Sequence, residues 1–165
     1  MVTTTGGLLF VHSTPSALCP HIEWAVGGVL GMPTHLDWQP QPVQPGSYRA
    51  ELAWQGPEGT GAKLASAFLH WSKLRFEVTE QAPAGGEGSR WSYTPSLGIF
   101  HATTGVHGDI LVPEERIRAA ILADADGSKP IRIALDELLG VAWDEELDIF
   151  RQAEADGVRW MHRAG

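Results

Sequence analysis

The chain has 165 residues, 43% of them hydrophobic and 19% charged, which suits one globular domain with a sizeable core and excludes a disordered chain. Its formal net charge is −8, with no basic stripe of the kind nucleic acid binding needs and a sign that disfavours an anionic membrane surface. A single cysteine, Cys19, excludes an internal disulfide framework and fits a reducing compartment.

The N-terminus has no basic region, Leu8–Val11 is too short an apolar run for a signal peptide, and no segment approaches the ~20 apolar residues of a membrane helix. The expected location is the cytoplasm. There is no asparagine, and nine arginines stand against three lysines, the bias of GC-rich codons.

In chain order, Leu8–His12 reads as a buried central strand bounded by Gly7 and Pro15. A helix follows from Cys19, with Pro20 expected at its first position, Ile22, Ala25, Val26, Val29 and Leu30 as its inward stripe, and Gly31 as its stop. Thr34–Gln39 and Ser47–Trp54 alternate as strands around a proline-stiffened loop. Thr60 or Gly61 opens a second helix with Leu64, Ala67, Phe68 and Trp71 on one face, and Leu74–Glu80 alternates as a half-buried strand.

The order β-α-β-β-α-β over residues 8–80 predicts an α+β chain with a ferredoxin-like core. Residues 90–112 extend it with strands at Arg90–Tyr93, Leu97–Ala102 and Asp109–Val112. Residues 113–165 form a helical tail that starts at Pro113 and is interrupted at Gly140, between segments Ile131–Leu139 and Trp143–Gln152. Seven tryptophans spread along the chain are expected to be mostly part-buried.

Chemistry is sought first at the entry of the first helix. A thiol there feels the positive end of the helix dipole, which favours thiolate, and His12 or His21 stands close enough in sequence to act as its base. His101 completes this candidate catalytic set. No known thiol-enzyme signature surrounds Cys19, so a small buried residue is the plainer reading. A metal reading from Cys19-x-His21 with His101, His107 and Asp109 lacks the tight ligand pairs of structural zinc sites, and neither metal nor cofactor is assigned. A polar pocket is read from Ser13, Arg90, Tyr93, Thr103, His107 and Asp109, with Arg90 available to hold an anion. A Ser-His-Asp triad from Ser13, His12 or His101, and Asp109 has no G-x-S-x-G elbow behind it.

Three motifs resemble ligand loops and lack their spacing. Gly59–Lys63 is no phosphate loop, Gly27-Gly28 is better explained by close packing, and Asp124–Ser128 reads as a helix-ending turn and not a calcium loop. The acidic tail interleaves Asp136, Glu137, Glu145 and their neighbours with Trp143, Leu147 and Phe150. Its apolar side either covers the sheet or meets a protein partner that carries arginines.

The strings Cys19–Gly31 (CPHIEWAVGGVLG), Gly59–Ser66 (GTGAKLAS) and Tyr93–His101 (YTPSLGIFH) resemble the uncharacterised actinobacterial family known as domain of unknown function 3145. The resemblance covers nearly the whole chain and implies a high-GC actinobacterial source, with no activity or catalytic residue to carry over. The sequence thus reads as a non-enzymatic protein-interaction or regulatory module. The alternative is a small enzyme or ligand-binding protein built on the Cys/His pocket, and the oligomeric state stays open.

Overall fold

The computed structural model describes residues 2–163, with side chains described for residues 2–153; the end of the expected 113–165 tail lies outside the described residues. The elements in order are β1 (Thr4–Pro15), a 3-10 turn (Ser16–Leu18), α1 (Cys19–Leu30), β2 (Gln39–Pro40), β3 (Ser47–Pro57), α2 (Thr60–Phe68) and β4 (Arg75–Glu80). They continue with β5 (Gly88–Thr94), β6 (Gly98–Thr104), β7 (Ile110–Leu111), α3 (Glu114–Ala125), α4 (Ile131–Leu139) and α5 (Val141–Arg163). The fold is mixed α+β. One antiparallel sheet runs in the order β2-β3-β1-β4-β5-β6-β7.

β1 is the central strand that its apolar run predicts, but it extends well past Gly7. That glycine is not a boundary; a Cβ on it would lie 1.7 Å from the Thr79 carbonyl oxygen, so it permits the close approach of β1 and β4. Leu9 and Val11 point to one face of the sheet, where they meet Ile22 and Val26 of α1, Leu64 and Phe68 of α2, and Phe76 and Val78 of β4. Each of these side chains is almost fully buried, which stabilises the fold by about 1.5–3 kcal/mol per large residue before entropy is counted. Phe68 stands edge-on to Phe76, and Tyr93 stacks on the far side of Phe76 with ring centres 5.3 Å apart.

Two expected elements differ. The alternation over Thr34–Gln39 does not make a strand: pairing starts only at Gln39 and Pro40, opposite Arg49 and Tyr48. The segment is held to α1 instead. The Glu23 carboxylate accepts from the Leu36 amide (3.3 Å) and from the Trp38 indole (3.1 Å), and it meets the His35 ring at 3.0 Å. The burial of Leu36 therefore comes from packing on a helix, and it imitates strand period. Trp71, expected on the α2 face, lies beyond the helix end and packs back on Phe68.

The opposite face of the sheet is covered by α5. Gly140 ends α4 in the left-handed conformation (φ 68°), and a Cβ there would press on the Phe100 ring at 2.7 Å. The chain thereby turns sharply and lays α5 across β1, β4 and β5. Asp124 and Asp126 serve the α3–α4 turn, Asp124 accepting from the Ile131 amide and Asp126 from the Ser128 amide. No described helix is long and apolar enough to cross a membrane.

Candidate functional site

The covered face carries an ionic layer. Register places Phe10, Glu77 and Ser92 side by side on this face of β1, β4 and β5. The pairing of β1 shifts between Val11 and Ser13, so His12 sits at a bulge, stacked on Phe10 with its ring nearly parallel. Its Nε2 lies 3.7 Å from Glu77 Oε1, and its carbonyl accepts from the buried Gln41 amide at 2.7 Å. From α5, Arg151 binds Glu77 through Nε (2.8 Å) and Nη2, and it also meets Asp144 at 3.0 Å. Asp144 is in turn 3.2 Å from Arg90.

Glu77 shows which effect wins here. Burial pushes its carboxyl upward; the hydrogen bond and charge of His12 and the charge of Arg151 outweigh it and hold the group below its ordinary range. Around this layer, Glu146 accepts from the Thr94 and Ser96 hydroxyls. Trp143 Nε1 donates to the Gly98 carbonyl at 2.9 Å, and Arg75 lies over the Phe150 ring.

This arrangement corrects the partner reading of the tail. Leu147 is fully buried, Phe150 nearly so, and Trp143 packs on Phe100 with its indole N–H bound, so these three side chains cover the sheet and do not await a partner. Asp136, Glu137 and Glu145 are on the outer side or partly exposed. Arg90, expected to hold an anion, is occupied by Asp144.

The four catalytic candidates are not brought together. His12 lies beneath α5, while His101 lies on the other face of the sheet, stacked on Trp91 at 4.9 Å with Nε2 3.2 Å from the Ser89 hydroxyl. Partial burial, and then the charge of Arg116, lower the His101 pKa. Cys19 and His21 stand in the first turn of α1, His21 beside Trp71.

Cys19 opens α1 and Pro20 is its second residue, yet the thiol is not activated: burial, and then the charge of Glu23, raise its pKa. Alkylation by iodoacetamide at neutral pH should therefore run slower than for a small reference thiol of pKa about 8.5, measured as a second-order rate. A faster rate would restore the nucleophile.

The pocket candidates also scatter. Ser13 is buried and accepts from Arg75 at 3.2 Å, Tyr93 is in the core on the α1–α2 face, Thr103 lies near the end of β6, and His107 and Asp109 are exposed in the β6–β7 turn. Among the described residues, no group of three or more His, Cys, Asp or Glu side chains gathers as metal ligands would.

The loop that looks like a phosphate loop holds an anion of its own. Glu80, buried on β4, accepts from the Gly59 amide (2.8 Å) and the Gly61 amide (2.7 Å) at the start of α2. Its carboxylate occupies the place a phosphate would take. Sequence reasoning missed both buried carboxylates: alternation assigns Glu77 to solvent until α5 covers it, while Glu80 shares the inner face of Phe76 and Val78 and is buried by the start of α2.

The family model described as "Protein of unknown function (DUF3145)" matches residues 8–163. The chain belongs to this family. No curated protein and no solved structure matches it. The DUF3145 match runs from within β1 to the end of α5, so the ionic layer and its covering helix lie within the family's extent.

Proposed function

We propose that the chain is a protein-interaction or regulatory module of a cytoplasmic assembly, and that its partner docks on the outer surface of α3, α4 and α5. The observation that carries this reading is a set of aliphatic side chains that these helices leave in solvent: Ile117, Ile121 and Leu122 on α3, Ile133, Leu135 and Leu139 on α4, and Ile149 on α5. Single exposed aliphatics are ordinary, but Leu122 is 68% exposed, and Ile117 with Ile121 and Leu135 with Leu139 lie four apart, each pair sharing one helix face. α3 buries only Ala120 of its twelve residues. A helix that buries so little of itself is poorly explained by its own chain.

Charge indicates the partner. Residues 110–165 carry 12 acidic and 7 basic side chains, a net of −5, so the complementary surface is basic with apolar pockets, arginine being suited to both. The core supports the same view of a scaffold. We read residues 4–80 as ferredoxin-like because β2-β3-β1-β4 are ordered and antiparallel as in a split βαβ unit, with α1 and α2 on one face.

A tagged chain purified from its host under mild conditions, compared with the double variant Ile121→Asp/Leu122→Asp, tests this reading. Both positions are exposed, so melting should shift by no more than ~2 °C, while recovery of the co-purifying protein should drop at least about fivefold. Equal recovery by both chains would remove α3 as the interface.

A further inference from the structure

The α1 side of the molecule carries a second unpartnered surface, and its chemistry differs from that of the acidic helices. Trp24 is 82% exposed, while the other described tryptophans are buried or half-buried as expected. It stands on α1 beside Gly27 and Gly28, with Pro20, Met32 and Pro33 completing a shallow apolar groove.

The two glycines have different explanations. A Cβ on Gly27 would lie 2.9 Å from the Met32 carbonyl oxygen, so the fold itself requires glycine there. A Cβ on Gly28 would meet nothing within 4 Å. Glycine is among the poorest residues for a helix interior, and nothing in the chain's own packing accounts for it at position 28. The close-packing explanation suggested by sequence therefore holds for Gly27 and fails for Gly28.

We infer that this face is a self-association surface, on which two copies pack α1 against α1 about a two-fold axis. Trp24 and Gly28 are one helical turn apart on the same face, a knob and a hole. Antiparallel apposition of two such helices sets Trp24 of each copy over Gly28 of the other. An isologous interface needs this self-complementarity, and the absent Cβ of Gly28 is what admits the indole.

The self-complementary spacing of Trp24 and Gly28 selects a second copy, and charge does not oppose it at this face. Copies of a chain with net charge −8 repel each other through their acidic helices and approach at least cost through a neutral face. α1 carries one carboxylate, Glu23, and its oxygens already accept from Trp38 and the Leu36 amide and meet the His35 ring. Burying it leaves no lone carboxylate to desolvate, whereas a basic partner would find little here to attract it. A contact confined to one short helix and the turn after it belongs to the small, reversible class, and a dissociation constant in the ~10 µM range is expected.

Sedimentation velocity of the full chain from about 2 to 200 µM, on the wild type, Trp24→Ser, Gly28→Leu and Ile121→Asp/Leu122→Asp, tests this directly. A concentration-dependent dimer is expected in the wild type and in the double variant, weakened at least ~10-fold by Trp24→Ser and by Gly28→Leu. Because Gly28 faces open space, Gly28→Leu should not lower the melting temperature of the monomer, measured at about 1 µM where association is slight, which separates lost association from lost folding. A wild type that stays monomeric throughout would overturn the inference. So would a dimer that survives both α1 variants, one lost in the double variant, or a Gly28→Leu monomer that melts lower than the wild-type monomer.

Discussion

Leu147→Asp is expected to unfold much of this molecule and not merely to strip a partner from it. Leu147 is fully buried between α5 and the sheet, so the change removes a large aliphatic side chain and leaves a carboxylate where water does not reach. The combined cost is about 3–5 kcal/mol, which for a chain of this size corresponds to a fall in melting temperature of roughly 10–20 °C. The neighbouring exposed position supplies the control: Asp148→Ala should leave melting nearly unchanged. Thermal denaturation followed by far-UV circular dichroism distinguishes these outcomes. A Leu147→Asp chain that melted with the wild type would mean that α5 does not cover the sheet.

The second large effect concerns the ionic layer. Removing the Glu77 carboxylate by Glu77→Ala leaves Arg151 without its main partner beneath α5 and deprives His12 of its neighbouring anion. Breaking a pair of this kind costs about 2–4 kcal/mol, less than for a wholly buried pair because Arg151 keeps some contact with solvent and with Asp144.

The pH dependence has a definite sign. In the fold, Glu77 titrates below its ordinary value of 4.5. Its contribution is therefore complete above that value and is lost as pH falls through the lower folded pKa, where the native state must take up a proton. Urea denaturation of wild type and Glu77→Gln between pH 7 and 3 should show a gap that is constant at neutral pH and closes in acid. A gap that widened on acidification would contradict the network.

The elements along the chain were largely legible in the sequence because local rules govern them. Gly31 and Gly140 end helices in the left-handed conformation that their type predicts, and Cys19, Thr60 and Ile131 open helices where the patterns place them. The failures share one cause. Periodicity reports that a side chain alternates between two environments without saying what the second environment is. Leu36 and Trp38 alternate because one carboxylate, Glu23, ties their segment to a helix. Glu77 alternates with Phe76 and Val78, yet it is buried under a helix more than sixty residues away in sequence. The candidate site was less legible still. Cys19, His12 and His101 looked like partners on spacing, but one bulge and one strand register place the two histidines on opposite faces of the sheet. Sequence does not set Trp24 apart from the other tryptophans, and it reads Gly28 with Gly27 as close packing, since exposure of a tryptophan and vacancy around a glycine are properties of the assembled surface.

If α5 packs its inner face on the sheet while α3 and α4 keep their outer face for a partner, probes on the two faces must meet different neighbours. Site-specific photo-crosslinking in the host cell tests this directly, with a photoreactive amino acid placed at position 122 in one chain and at position 147 in another. A discrete adduct with another protein is expected from position 122, and none from position 147, where the probe is shielded or the chain fails to fold. No adduct from position 122, or the same adduct from both positions, would contradict it.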